Sequence, residues 1–211
     1  IEGHVQYSYM TIAQIERFYS RFYPRWNRDA YYGLMELLKV APRQRISRMS
    51  CGQRSQVALG LILAQDAELL VLDDFSMGLD PGYRRLFVEY LRDYARNGAK
   101  TVFLTSHIIQ DMEKLVDDCI VMDYGRILVQ MPVRELLGSF ARYTFTTGAA
   151  ELPPIEGAFH PGVMNGRAEL FSFAPQRQVE QALGGAGIVF DGLVRESLNL
   201  EDAFIGLTGK Y

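Results

Sequence analysis

The sequence predicts an α/β protein: a parallel sheet alternating with helices, an all-helical block ahead of it, and a small α+β appendage behind. Three observations predict this class. Short apolar runs at Leu69–Leu72 and Thr101–Thr105 flank one helix-length segment, the spacing of a βαβ unit. Each run ends in polar residues, Asp73-Asp74 and Ser106-His107, at the strand ends where parallel sheets bind ligands. After about Phe140 the composition turns to Gly, Pro and Ala.

The elements follow in order. Thr11 suits a helix N-cap before IAQIERFYSRFY, where Ile12, Ile15, Phe18, Tyr19 and Phe22 share a face and Pro24 ends the run. Asn27 caps a second helix with Tyr31, Leu34, Met35 and Leu38 on its apolar side, closed by Pro42. The Tyr and Phe stripe of this block reads as core or as a partner-facing surface. Ser50 precedes a helix expected from about Arg54 to Gln65. Leu69–Leu72 reads as a buried parallel strand. Asp80-Pro81 starts a helix that runs to about Arg96 and stops at Asn97-Gly98. Thr101–Thr105 is the next buried strand, Ile108–Val116 a helix, and Cys119–Met122 a further strand. Tyr124-Gly125 turns the chain into Arg126–Val129, and a short helix runs from Pro132 through Leu137. The appendage reads as β–α–β–α: AELFSF, a helix with Val179 and Leu183, IVFDGLV, then NLEDAFIGLT.

With 211 residues, 48% of them hydrophobic, the chain can bury the core of one large domain or of a domain plus appendage. A net charge of −3 argues against nucleic-acid binding driven by net charge, so no nucleic-acid partner is expected. The two cysteines, Cys51 and Cys119, stand in no paired metal spacing and read as reduced thiols. No apolar run approaches the ~18–20 residues that span a bilayer.

Four stretches carry chemistry. MSCGQ (49–53) sets small residues and a hydroxyl at a helix N-terminus, where backbone N–H groups and the helix dipole attract anions. LLVLDDF (69–75) delivers two carboxylates to a strand tip; Asp73 there is either a Mg²⁺-side ligand or a cap on the next loop. SMGLDP (76–81) places Asp80 as a helix N-cap before Pro81. TSH (105–107) puts His107 after a strand and at the opening of a helix.

In this order the four stretches resemble the signature, Walker B strand, D-loop and H-loop of the ABC-type ATPases. SLNLEDAFIGLTG (197–209) resembles the C-terminal end of ATPase subunits from ABC-2 exporters. The resemblance implies a partial ABC ATPase: a RecA-like parallel core with a helical subdomain. Residues 1–48 would be the Q-loop end and helical subdomain. Residues 49–139 would hold the signature, Walker B, D-loop and H-loop, and 140–211 an accessory domain. It implies ATP and Mg²⁺, with Asp73 on the metal and Asp74 and His107 catalytic. Ser50, Cys51, Gly52 and Gln53 would contact ATP held by a second subunit, and Asp80 would signal across the dimer. IEG followed by MTIAQI resembles the region after the Q-loop, which makes Glu2 the Q-loop residue if it is not simply a terminal acid.

Two residues depart from the family pattern. Asp74 stands where the family has a glutamate that polarises the attacking water, and Cys51 replaces the first signature glycine. No G-x-x-x-x-G-K-[ST] phosphate loop occurs, and the chain begins with Ile1. The expectation is therefore a fragment, inactive alone, of the ATP-hydrolysing subunit of an exporter-type transporter. That subunit would sit peripherally on the cytoplasmic face of the cell membrane. Its partners would be a transmembrane permease and a second ATPase subunit. The alternatives are a catalytically weak or regulatory subunit paired with an active ATPase, and a non-transport ABC ATPase.

Overall fold

A computed structural model describes residues 7–74, 79, 81–97 and 100–209. The chain divides into two compact units between His107 and Ile108.

In the first unit, Thr11 and Gln14 close a reciprocal capping box, with bonds of 3.2 and 2.9 Å, and start α1 (Ile12–Tyr19). The helix stops short of the expected Pro24. The Ser20 hydroxyl donates back to the Arg17 carbonyl, offering the backbone an alternative to another turn, and Phe22 is left exposed. Asn27 caps α2 (Arg28–Leu37) by accepting from the Ala30 N–H at 3.0 Å. Tyr31, Leu34 and Met35 are buried as their spacing predicts. The Tyr31 hydroxyl donates to the Ile12 carbonyl at 3.1 Å, and burial pushes its pKa far up. Glu16, 5% exposed, accepts bonds from Trp26 Nε1–H (3.1 Å) and the Tyr32 hydroxyl (3.4 Å), which makes its burial tolerable.

The next helix, α3 (Cys51–Leu63), begins three residues before the expected Arg54, because Ser50 and Gln53 form a second capping box. Gly60 lets it approach α2: a Cβ there would lie 3.1 Å from Tyr31 and 3.2 Å from Met35. Then β1 (Leu69–Asp73), α4 (Pro81–Asn97) and β2 (Thr101–Thr105) form the predicted βαβ unit. The strands pair in parallel, Leu69 opposite Thr101 through Asp73 opposite Thr105. They are not buried on both faces, as the apolar runs suggested. Leu70 and Leu72 are buried, whereas Leu69, Val71 and Phe103 are more than half exposed. The pleat sends alternate side chains to opposite faces, and only one face is covered among the described residues. At the opposite end from the acids, Lys100 Nζ pairs with Asp66 at 2.6 Å, and the Tyr94 hydroxyl donates to the Ala67 carbonyl at 2.7 Å.

The second unit opens with α5 (Ile109–Met112), shorter than the expected 108–116. Cys119–Met122 lies in β3 (Asp118–Asp123), which pairs antiparallel with β4 (Arg126–Pro132) rather than extending a parallel sheet. The two-residue turn dictates this. Tyr124 and Gly125 both have positive φ (44° and 74°), the geometry of a tight hairpin, and parallel neighbours need a long crossover.

After α6 (Val133–Ser139) come β5 (Ala141–Thr147), β6 (Ala158–Met164), β7 (Arg167–Ser172), α7 (Gln176–Gly185), β8 (Phe190–Ser197) and α8 (Leu200–Thr208). The four strands make an antiparallel sheet in the order β6-β7-β5-β8. The appendage is thus α+β, but with two strands, β5 and β6, that the β–α–β–α reading lacks. Pro161 sits in β6 because that strand is an edge, and the register shifts between Phe159 and Gly162. Asn199 caps α8 and Gly209, at φ 66°, ends it. No described helix is long and apolar enough to cross a membrane.

Candidate functional site

The parallel register sets Asp73 directly beside Thr105 at the tips of β1 and β2. The Thr105 hydroxyl donates to Asp73 Oδ1 at 2.6 Å. One residue on, Asp74 takes φ 43°, a left-handed conformation that a short acidic side chain tolerates better than most. Its N–H is shared between Thr105 Oγ1 (3.0 Å) and the Thr105 carbonyl (3.2 Å). The chain therefore turns at the strand tip, and the two adjacent acids bond different residues of the neighbouring strand end, Asp73 to Thr105 and Asp74 to His107.

The Asp74 carboxylate meets His107: Nδ1 lies 2.8 Å from Oδ1 and 3.0 Å from Oδ2. An ionised carboxylate only accepts, so Nδ1 carries the proton and donates. Nε2 is then the nitrogen free to serve another group. The side chains of His107 and Asp74 are 59% and 34% exposed, so the pair is open to solvent-borne ligands. Thr105 joins these residues into one network running from Asp73 through Asp74 to His107. It was not singled out from sequence, although its place opposite Asp73 follows from pairing the two apolar runs tip to tip.

The glycine-bearing segment forms its own cluster. The Ser50 hydroxyl accepts from the Gln53 N–H at 3.2 Å, and Gln53 Oε1 accepts from the Ser50 N–H at 3.1 Å. Cys51 is exposed at the first turn of α3. Gly52 is buried: a Cβ there would lie 2.4 Å from the Tyr83 ring of α4. Gln56 Nε2 also donates to the Tyr83 carbonyl at 2.9 Å, so α3 and α4 are joined at two points. Tyr83 belongs to no motif in the sequence, so only the packing of α4 against α3 reveals it. No hydrogen bond links Ser50–Gln53 to the two acids among the described residues. Glu2 and Asp80 lie outside the described residues.

The donor chemistry suits a hard cation that arrives with phosphate. Asp73 Oδ2 accepts no bond among the described residues, while Oδ1 is committed to Thr105. No described group of three or more His, Cys, Asp or Glu side chains could hold a metal alone. Mg²⁺ does not need such a cage, since it takes one or two carboxylates and fills its shell with water and phosphate.

The fold is a mixed α/β fold like that of the ABC ATPases. A solved structure titled "Structure of ATP binding subunit of ABC transporter" superposes with a TM-score of 0.55 at 19% identity, covering 64% of this chain and 58% of that one. A family model described as "AAA domain, putative AbiEii toxin, Type IV TA system" matches residues 9–110. The chain is 31% identical over 172 residues to the Nod factor export ATP-binding protein I of Rhizobium meliloti, covering 79% of this chain and 50% of that protein. It is 29% identical over 203 residues to the protein of the same name from Rhizobium etli, covering 91% and 63%. The chain is thus similar to ATP-binding proteins of ABC transporters. It spans about half to two thirds of the length of these relatives, 50% and 63%.

Proposed function

We propose that the chain is part of an ATP-hydrolysing subunit that powers an exporter-type ABC transporter. The observation that carries this reading is the Asp74–His107 contact of 2.8 Å, formed beside Asp73 at the tips of two parallel neighbouring strands. Residues 1–48 would then be the Q-loop end and helical subdomain, 49–139 the catalytic part and 140–211 an accessory domain. Asp73 would hold Mg²⁺ through water with Oδ2, and the ion would supply charge neutralisation at the phosphates. Asp74 takes a proton from the attacking water, and His107 keeps Asp74 oriented while its Nε2 serves the terminal phosphate. Ser50, Cys51, Gly52 and Gln53 offer the N-terminus of α3 to a nucleotide held by a second subunit. Asp80 signals between the two subunits, and Glu2 is the Q-loop residue.

The subunit lies peripherally on the cytoplasmic face of the membrane and docks a permease. Tyr9, Phe22 and Leu37, exposed apolar side chains at 65%, 65% and 60%, lie in the block that would receive the permease. The test is Mg²⁺-dependent, vanadate-sensitive ATP hydrolysis by the full-length protein, with and without its permease. Asp74→Asn and His107→Ala should each abolish it. Hydrolysis undiminished in both variants would reject the reading.

A second reading, a catalytically weak subunit paired with an active ATPase, is favoured by the short carboxylate of Asp74 and the thiol at Cys51. It requires that the purified subunit alone bind ATP and turn it over negligibly, and that a second ATPase restore turnover.

A further inference from the structure

We propose that Thr105 is the positioning residue that presents Asp73 to the metal. The inference rests on the reading of Asp73 as the metal-side carboxylate. A hydroxyl has one proton to give. Thr105 gives it to Asp73 Oδ1 at 2.6 Å, a short charge-assisted bond, and accepts the Asp74 N–H at 3.0 Å with a lone pair. The direction of the chain is thereby fixed: Asp74 N–H to Thr105 O–H to Asp73 Oδ1.

Three consequences follow. Oδ1 is occupied and oriented, so Asp73 offers one oxygen, Oδ2, outward. A carboxylate on an exposed strand tip otherwise rotates freely about χ2; this bond holds it. The same hydroxyl anchors the backbone of Asp74 in its left-handed turn, at φ 43°, and so sets where the Asp74 carboxylate meets His107. One side chain on β2 thus aligns both acids of β1. The parallel register makes this possible, because Thr105 is the Cα partner of Asp73.

Serine can reproduce both bonds, with looser χ1 freedom. Valine keeps the branched shape that suits a strand and makes neither bond. The experiment uses the full-length protein with Mn²⁺ as the spectroscopic probe and a non-hydrolysable ATP analogue. Electron paramagnetic resonance reads Mn²⁺ affinity, and ATP hydrolysis is followed in parallel. Losing a group that orients a metal ligand weakens metal binding by roughly tenfold or more. Thr105→Val should show that loss, with kcat falling and the KM for ATP little changed. Thr105→Ser should stay within about threefold of wild type. Thr105→Ala replaces Thr105→Val should the latter fail to fold, with the same loss expected. Wild-type Mn²⁺ affinity in folded Thr105→Val, or Thr105→Ser as weak as Thr105→Val, would overturn the proposal. Mn²⁺ affinity unchanged in Asp73→Asn would overturn the metal reading of Asp73 itself, and the proposal with it.

Discussion

Gly52 stands in the segment that resembles a nucleotide-contacting signature, yet the structure gives it a packing role that needs no nucleotide. A Cβ at this position would sit 2.4, 2.8 and 3.1 Å from Cδ2, Cε2 and Cγ of Tyr83. Gln56 holds the Tyr83 backbone through its 2.9 Å bond to the carbonyl, so relief has to come from the torsions of the ring itself. Gly52→Ala therefore overpacks the α3–α4 contact, at about 1–3 kcal/mol. Alanine recovers up to about 1 kcal/mol of helix propensity. With that recovery in full, the net loss is up to about 2 kcal/mol, or a Tm lower by up to about 8 °C for a chain of this size. The assay is urea unfolding without nucleotide, followed by tryptophan fluorescence. Trp26 is the single tryptophan, half-buried and bonded to Glu16 within the same unit as Gly52, so the signal reports that unit. In a Tyr83→Ala background the ring is gone, and Gly52→Ala should become neutral or stabilising. A coupling of about 0.5–3 kcal/mol between the two sites is the expected outcome of the cycle. An equal change in both backgrounds would refute the packing argument.

Three further outcomes can be checked. In the complete protein, Asp74→Glu should raise ATP turnover, because one more methylene brings the carboxylate to the water; unaltered or lower turnover counts against Asp74 as a weak base. The bonds that Arg142 donates to Glu196, at 2.7 and 3.0 Å, hold that carboxyl below the usual carboxylate value, so the stability it lends is complete above that value and is lost as pH falls through the lowered one. Glu196→Gln should flatten this acid limb in the melting of the second unit, and an identical pH profile in the variant would reject the assignment. Cys51 is exposed, whereas burial beside Asp118 pushes the Cys119 thiol up. Maleimide should therefore label Cys51 first, as read by mass spectrometry of the Cys51→Ser and Cys119→Ser variants; faster labelling of Cys119 contradicts the structure.

Where the physics is local, the sequence was legible. Thr11, Asn27 and Ser50 are caps because their side chains answer donors three residues away, and that pattern needs no tertiary knowledge. The βαβ unit was legible because two apolar runs and a Pro-started helix leave few other arrangements. The second unit was harder. Ala141, Tyr143 and Phe145 alternate inward and mark β5, but mild residues between them hide the period. Asn165-Gly166, both at positive φ, is the hairpin signal joining β6 to β7, and Pro161 and Gly162 obscure it by making the strand before it look like loop. Tyr124-Gly125 reads as a tight turn from sequence, but the strand–helix alternation before it masks the antiparallel pairing that a two-residue turn requires.

The candidate site shows the same division. Single residues could be nominated from their motifs, but what orders them is register. Asp73 and Asp74 are adjacent in sequence and would, on a straight strand, point to opposite faces. The left-handed turn at Asp74 and the shared hydroxyl of Thr105 change their relation, giving one acid a free oxygen and the other a histidine. A substitution at either acid is therefore felt by the other through Thr105. Single-residue effects at Asp73, Asp74 and His107 should for that reason be non-additive, and a role assigned to one of them alone would be a statement about the network.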